Sequence, residues 1–259
     1  LFIQHPGLRD DRADNVRALI EGYAPHLEDI DATKPEGFKA LMKQTADLEA
    51  DVPVKAILSR QLARAELAFA AGPHQGMGLN AYTTFTSPLR KYSDLYVHRV
   101  IKAALWDTPM KTLSSEQLLA LQATQLKARQ AANNLETWLK SDFAKTLSDE
   151  PMEGVISRTI PAGFFVRLEA NGLEGFVSCK DLNGKYSFDP VTLRLIHNKN
   201  GRIFQLEQAV KVSFSGVEEE RRQINFKLVE ADEKPTASGT EGTNDEAQDN
   251  ALESGDSKS

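Results

Sequence analysis

The chemically richest stretch runs from Gly72 to Arg99 and reads GPHQGMGLNAYTTFTSPLRKYSDLYVHR. Two adjacent cations, Arg90 and Lys91, follow the run Tyr82-Thr83-Thr84-Phe85-Thr86-Ser87-Pro88. Pro88 suits the first turn of a helix with Ser87 as its N-cap, which would put both cations in that turn. Cations are the wrong sign there, because a helix N-terminus carries partial positive charge; each costs a few tenths to about 1 kcal/mol. A sequence that breaks a local rule invites a functional reading. Free N–H groups beside Arg90 and Lys91 would hold a phosphate. The competing reading is that Arg90 simply pairs with Asp94 one turn on. Gly72, Gly76 and Gly78 allow close backbone approach or positive φ. These residues alone do not specify a reaction.

The other reactive groups give less. His98 beside Arg99 and His74 after Gly72-Pro73 read as packed or paired histidines, since neither has a second His or carboxylate at metal-ligand spacing. Asp10, Asp11 and Asp14 read as acids at a helix start. Glu218, Glu219 and Glu220 read as a solvated turn, and no metal site is expected in the chain. The single cysteine, Cys179, excludes an internal disulfide and a cysteine metal cluster, and no disulfide-linked partner is expected.

Helices must position the Gly72–Arg99 segment. Val16, Leu19 and Ile20 begin one apolar face; Phe38, Leu41, Met42, Thr45 and Leu48 mark a second. Val54, Ile57, Leu58, Leu62, Ala65 and Phe69 mark a third, closed by Gly72-Pro73. The fourth carries Leu89, Tyr92, Tyr96, Val100 and Ala103. Ser114 with Gln117 forms a capping-box pattern, opening a long helix through Leu118, Leu121, Leu135, Trp138, Leu139 and Phe143 that Pro151 stops. The period then changes to strand-like runs at 153–160, 163–169, 173–178, 209–217 and 223–229, with a polar stretch from Asn183 to Gly201 as separator. Five strands with one longer excursion suggest a small OB-type barrel.

The net charge of −6 is local. Residues 231–259 hold 8 Asp/Glu and 2 Lys/Arg, so the rest is neutral. That tail has Leu252 as its one large apolar residue and is expected to be disordered. Lys55 to Leu105 holds 7 Lys/Arg against 2 Asp/Glu, compatible with a nucleic-acid partner or with a solvated basic face. No apolar run approaches the roughly 20 residues of a membrane helix. The chain opens on Leu-Phe-Ile-Gln-His without a methionine, which reads as a truncation.

The Gly72–Arg99 segment resembles the signature near the end of the RNB catalytic domain of the ribonuclease II family. The likeness rests on the glycine spacing, the Ala-Tyr pair, Phe-Thr-Ser-Pro-Leu-Arg-Lys-Tyr and the later His-Arg. Leu1 to Gly7, LFIQHPG, resembles the family's Phe-Arg-x-His segment with Gln4 in place of Arg. The resemblance implies an α+β multidomain chain in four parts. Residues 1–110 would be the mostly helical C-terminal part of an RNB domain and 111–150 a connecting helix. Residues 151–230 would be a five-stranded OB-type barrel of the S-one RNA-binding type, and 231–259 the disordered acidic tail.

The family hydrolyses single-stranded RNA from the 3′ end to nucleoside 5′-monophosphates with a divalent metal, so Mg2+ is implied. The family arginine that lies on the scissile phosphate matches Arg90, with Leu89 replacing Ile; it can donate two parallel hydrogen bonds, which lysine cannot imitate. Lys91 would be a neighbouring backbone contact. In the barrel, Phe165 matches the aromatic that stacks on bases, and Phe164 and Phe176 would add to it, although one of two adjacent strand aromatics must face the core. Ser178 stands where the family has His, and Ala162 where it often has an aromatic. Arg221 and Arg222 read equally as phosphate contacts or as hairpin surface charge. The family's aspartate cluster, which holds the metal, has no equivalent in the sequence. The chain alone is therefore expected to bind RNA without hydrolysing it, as part of a cytoplasmic exoribonuclease. A non-catalytic RNA-binding module is the alternative, and a helical adaptor is a third reading.

Overall fold

The structure, a computed structural model, describes residues 1–229. The expected disordered tail lies outside the described residues. The chain begins with β1 (Phe2–Gln4), then α1 (Ala13–Tyr23), α2 (Pro35–Gln44) and α3 (Val54–Arg60). Val16, Leu19 and Ile20 of α1, Leu41 of α2, and Ile57 and Leu58 of α3 share one core, as their helical spacing requires. The second helix ends before Leu48. Thr45 returns its hydroxyl to the Leu41 carbonyl at 2.9 Å, a local bond that competes with helix continuation.

The third helix is shorter than its pattern suggests. It stops at Arg60, and Glu66–Ala68 is instead β2, paired antiparallel with β1 in the register Phe2↔Ala68. The apolar period continues through Leu62 and Ala65 to Phe69, but main-chain bonds to a partner 64 residues away override it.

After the Gly72–Lys91 segment come α4 (Tyr92–Leu105) and the 30-residue α5 (Ser115–Ala144). The capping box forms: the Gln117 amide donates to Ser114 Oγ at 3.2 Å, and the Ser114 amide donates to Gln117 Oε1 at 2.9 Å. Only Ser141 and Ala144 of α5 are buried, and Leu119, Leu135, Trp138, Leu139 and Phe143 stay exposed.

All five expected barrel strands form: β3 (Met152–Ile160), β4 (Gly163–Leu168), β5 (Glu174–Ser178), and, past an insertion, two more. The insertion is itself a three-stranded sheet, β6 (Tyr186–Asp189), β7 (Arg194–His197) and β8 (Ile203–Phe204), where the sequence reads only as a polar separator. The last strands are β9 (Ala209–Glu218) and β10 (Gln223–Leu228), and the barrel closes in the order β10-β5-β4-β3-β9. Ile156, Phe164, Val166, Val177, Val212 and Phe226 fill it at alternate positions. Gly175 is required there, because a Cβ would sit 2.4 Å from the Phe226 ring.

The insertion ties the barrel to the helices. Leu206, just past β8, is buried in the helical core. Buried Arg194 of β7 donates to the Asp51 carboxylate at 3.2 Å, to the Asp51 carbonyl, and to Gln205 Oε1 at 2.6 Å. Arg60, at the end of α3, donates to the Ser157 carbonyl of β3. Among the described residues, no helix is long and apolar enough to cross a membrane.

Candidate functional site

Ser87 to Lys91 forms one isolated turn, with the Arg90 and Lys91 amides donating to the Ser87 carbonyl at 3.2 and 2.9 Å. It does not continue into α4. Lys91 is extended, at φ −127° and ψ 110°, so the helix starts at Tyr92, four residues later than Pro88 suggests. Ser87 is therefore not its N-cap, and neither cation lies in its first turn. The physical reason is Asp94. This fully buried carboxylate accepts from the Ser87 amide at 3.0 Å, Thr84 Oγ1 at 2.8 Å and Ser93 Oγ at 3.2 Å, and pairs with the Lys91 ammonium at 3.2 Å. Burial pushes its pKa up, but the bonds from Thr84, Ser87 and Lys91 outweigh that and hold it below the usual carboxylate range.

Lys91, not Arg90, is thus the partner of Asp94. The Lys91 ammonium also donates to Thr84 Oγ1 at 3.0 Å, so it braces the turn from within. Arg90 is exposed at the end of the turn, and no hydrogen bond or ion pair engages its side chain among the described residues. A guanidinium held out on a braced turn can meet a phosphate with both arms of its fork.

The irregular segment leading to the turn is fixed by β1. The Ile3 amide donates to the Tyr82 carbonyl at 2.8 Å and the His5 amide to the Pro73 carbonyl at 2.9 Å. Gly78, at φ +63°, supplies the left-handed residue that closes the loop. His74 stacks on His5 at 5.1 Å and meets the Tyr82 edge at 5.0 Å. His98 Nε2 lies 2.5 Å from the Phe85 carbonyl. Both histidines are packed, as their surroundings in sequence imply.

On the barrel, Phe165 and Phe176 lie side by side at 5.0 Å, both part-exposed, on neighbouring strands. The Arg158 guanidinium sits 3.9 Å over the Phe165 ring. The sequence reading missed Arg158; its position opposite Phe165 in the β3–β4 register was the available signal. Arg60 adds a second cation, its pKa lowered by burial and by the neighbouring Arg158. Phe164 must leave the RNA-contacting set. It is 0% exposed and packs against Phe204 in the core, because adjacent strand residues face opposite sides. Arg221 and Arg222 sit in the β9–β10 turn, exposed. Arg221 lies 3.6 Å from Glu218, and Arg222 lies over the Trp138 ring of α5.

Four of the six acidic residues singled out from sequence are paired elsewhere: Asp11 with Arg9 and Arg12, Asp14 with Arg17, Glu218 with Arg221 and Glu219 with Lys145. Among the described residues, no three His, Cys, Asp or Glu side chains gather as a metal site would require, so the divalent ion that the resemblance implies has no fitting ligand set here. Burial pushes the Cys179 thiol pKa up, away from nucleophilic use.

Comparison with known proteins accounts for both halves. Residues 1–107 match the RNB domain, and residues 148–228 match the S1 RNA binding domain. Ribonuclease R of Aquifex aeolicus is 30% identical over 240 residues, covering 90% of this chain and 34% of that protein. Exoribonuclease 2 of Glaesserella parasuis is 29% identical over 212 residues, covering 80% and 30%. Among solved structures, the apo form of Mycoplasma genitalium RNase R superposes with a TM-score of 0.67 at 19% identity, over 88% of this chain and 37% of that one, which shows a shared fold. The chain thus spans about a third of the length of the relatives it matches.

Proposed function

We propose, from the premise that this chain belongs to the RNB family and carries an S1 RNA binding domain, that it holds single-stranded RNA for 3′-to-5′ exonucleolytic degradation in the cytoplasm. Arg90 would contact the backbone phosphate at the point of cleavage. Phe165 and Phe176, with Arg158, would stack on and grip upstream bases, each stacked base contributing about 1–3 kcal/mol. Lys91 would act on RNA only through the turn it braces. The observation that carries this reading is the exposed guanidinium of Arg90, free of hydrogen bonds and ion pairs among the described residues, on a turn fixed by a buried carboxylate. Relatives named ribonuclease R and exoribonuclease 2 support the reaction class.

Hydrolysis would need Mg2+ ligands that the described residues do not gather, so the chain by itself is proposed to bind RNA without cutting it. The test is fluorescence anisotropy with a 3′-labelled single-stranded RNA, alongside a nucleotide-release assay with magnesium. We expect binding that weakens as salt rises, a roughly tenfold loss of affinity in Arg90→Ala, and no release of nucleotide. Equal RNA binding by Arg90→Ala would remove the site assignment, and magnesium-dependent release would refute the division of labour.

A further inference from the structure

His5 and His74 meet where the end of β1 joins the segment that leads to Arg90. Their rings lie 5.1 Å apart. The main chain is stitched on both sides of them: the His5 amide donates to the Pro73 carbonyl at 2.9 Å, and the Gln75 amide donates to the His5 carbonyl at 3.2 Å. Ile3 donates to the Tyr82 carbonyl at 2.8 Å, and the Tyr82 ring lies edge-on to His74 at 5.0 Å. Thr83 Oγ1 donates to the Leu1 carbonyl at 2.7 Å. The approach to the Ser87–Lys91 turn thus hangs on β1, and the two histidines fill the joint.

His5 is 7% exposed. Its Nδ1 accepts from the Gly7 amide at 3.1 Å, which fixes the neutral ring with its proton on Nε2. A second proton must go on Nδ1. It would turn that acceptor into a donor aimed at another donor, and it would lodge a charge in a closed joint. Gly7, Ala63, Pro73, Gln75 and Gly76, which surround the ring with His74, carry no compensating charge. His74 Nδ1 is already buried without a hydrogen bond, so the joint tolerates a further lost bond poorly. The charges that face the pair from other elements are mostly positive. His74 shares a recess with Arg64, Lys91 and Arg129 against Glu66, and Lys39 of α2 lies against Gly78.

Burial, and after it the neighbouring His74 ring, lowers the His5 pKa from its ordinary value of about 6.5; the His5 and Ala63 carbonyls oppose this without reversing it. A histidine lowered in this way contributes stability that is present above the unfolded value and is lost as pH falls from there to the folded value.

We propose that His5 is an acid-sensitive latch: neutral, it holds β1 against the Gly72–Lys91 segment, and protonated, it loosens that segment so that the Arg90 turn gives up RNA. The effect on RNA rests on the Arg90 reading above; the loosening of the joint does not.

The experiment is amide hydrogen exchange of the 259-residue chain from about pH 7.5 to about pH 5.5, corrected for the chemical dependence of exchange on pH, beside anisotropy titrations with the labelled single-stranded RNA. Asp94, with its depressed pKa, stays ionised across this range. Protection of the Ile3 and His5 amides should fall at least about threefold on acidification, and RNA affinity by a similar factor. His5→Asn offers an oxygen to the Gly7 amide but takes up no proton, so it should hold both constant. His26→Gln, at an exposed site, should behave as the parent chain does. If His5→Asn melts early, a proton NMR titration of the His5 ring in the parent chain takes its place: a midpoint below the ordinary value supports the latch, and one at or above it overturns the latch. Constant protection in the parent chain, or an equal loss in His5→Asn, would also overturn it. Lost protection with unchanged RNA affinity would overturn the coupling to RNA. Equal RNA binding by Arg90→Ala at neutral pH would sink the Arg90 reading but leave the exchange result standing, so the two can fail separately.

Discussion

The Asp94 carboxylate accepts the Ser87 amide at 3.0 Å across the break between the isolated turn and α4. One buried acid thereby holds a turn that precedes its own helix. Its other donors, Thr84, Ser93 and Lys91, come from both sides of that break. Asp94→Ala should leave a buried amide and a half-exposed ammonium without their partner. Removing a buried, hydrogen-bonded charge of this kind costs about 2–4 kcal/mol. Urea denaturation should show that loss, and a change below 0.5 kcal/mol would mean that the turn does not depend on Asp94.

The same residue sets an acid dependence. Burial raises the Asp94 pKa, and the bonds from Thr84, Ser87 and Lys91 more than reverse this, leaving it depressed. A depressed carboxyl contributes stability that is present above its unfolded pKa, about 3.9, and is lost as pH falls through the folded value. Between pH 7 and 3 the parent chain should therefore lose more stability than Asp94→Asn does. Parallel pH profiles for the two would contradict the assignment.

Arg90 should behave in the opposite way. Its side chain is exposed and no hydrogen bond or ion pair engages it among the described residues, so Arg90→Lys should change stability by less than about 0.5 kcal/mol. The variant keeps the charge but loses the fork, so it should lose most of the RNA affinity that Arg90→Ala loses. Anisotropy titrations of both variants decide the matter. Full retention by lysine would reduce the role of Arg90 to simple charge.

The barrel, the long capped helix and the early helical faces were legible because each rests on a local period or a cap. What the sequence did not reveal depends on distant partners. The β2 strand exists only because Phe2–Gln4 lies beside it, and its own residues continue a helical period. The insertion sheet reads as polar because its strands are only two to four residues long. In the site, Arg90 and Lys91 were legible as a pair, but which of them Asp94 would bind depends on the extended Lys91 backbone. Arg158 requires the β3–β4 register, which no single segment encodes.

Phe164 and Phe165 provide an internal control, since they are adjacent and face opposite ways. Phe164→Ala should empty a buried ring site and cost about 3–5 kcal/mol. Phe165→Ala should cost far less stability but weaken RNA binding by about 1–3 kcal/mol. Thermal melts and anisotropy together separate the two effects. Loss of RNA binding in both variants with stability unchanged in both would contradict the burial of Phe164.

Arg194 and Asp51 join the insertion sheet to the helices, and their burial is unequal: the side chains are 9% and 71% exposed. The two truncations should therefore differ. Asp51→Ala removes one carboxylate at the surface but leaves the Asp51 carbonyl and Gln205 to receive the guanidinium. It should cost about 1 kcal/mol or less. Arg194→Ala removes the donor of every one of these bonds and leaves Gln205 without its partner, so it should cost about 2–4 kcal/mol. The larger loss should appear as earlier opening of the joint. Hydrogen exchange would then speed up first in β7 and in the segment around Asp51, ahead of the β3–β4 barrel pairs. Equal losses from the two variants would mean that the exposed carboxylate, and not the buried guanidinium, holds the joint.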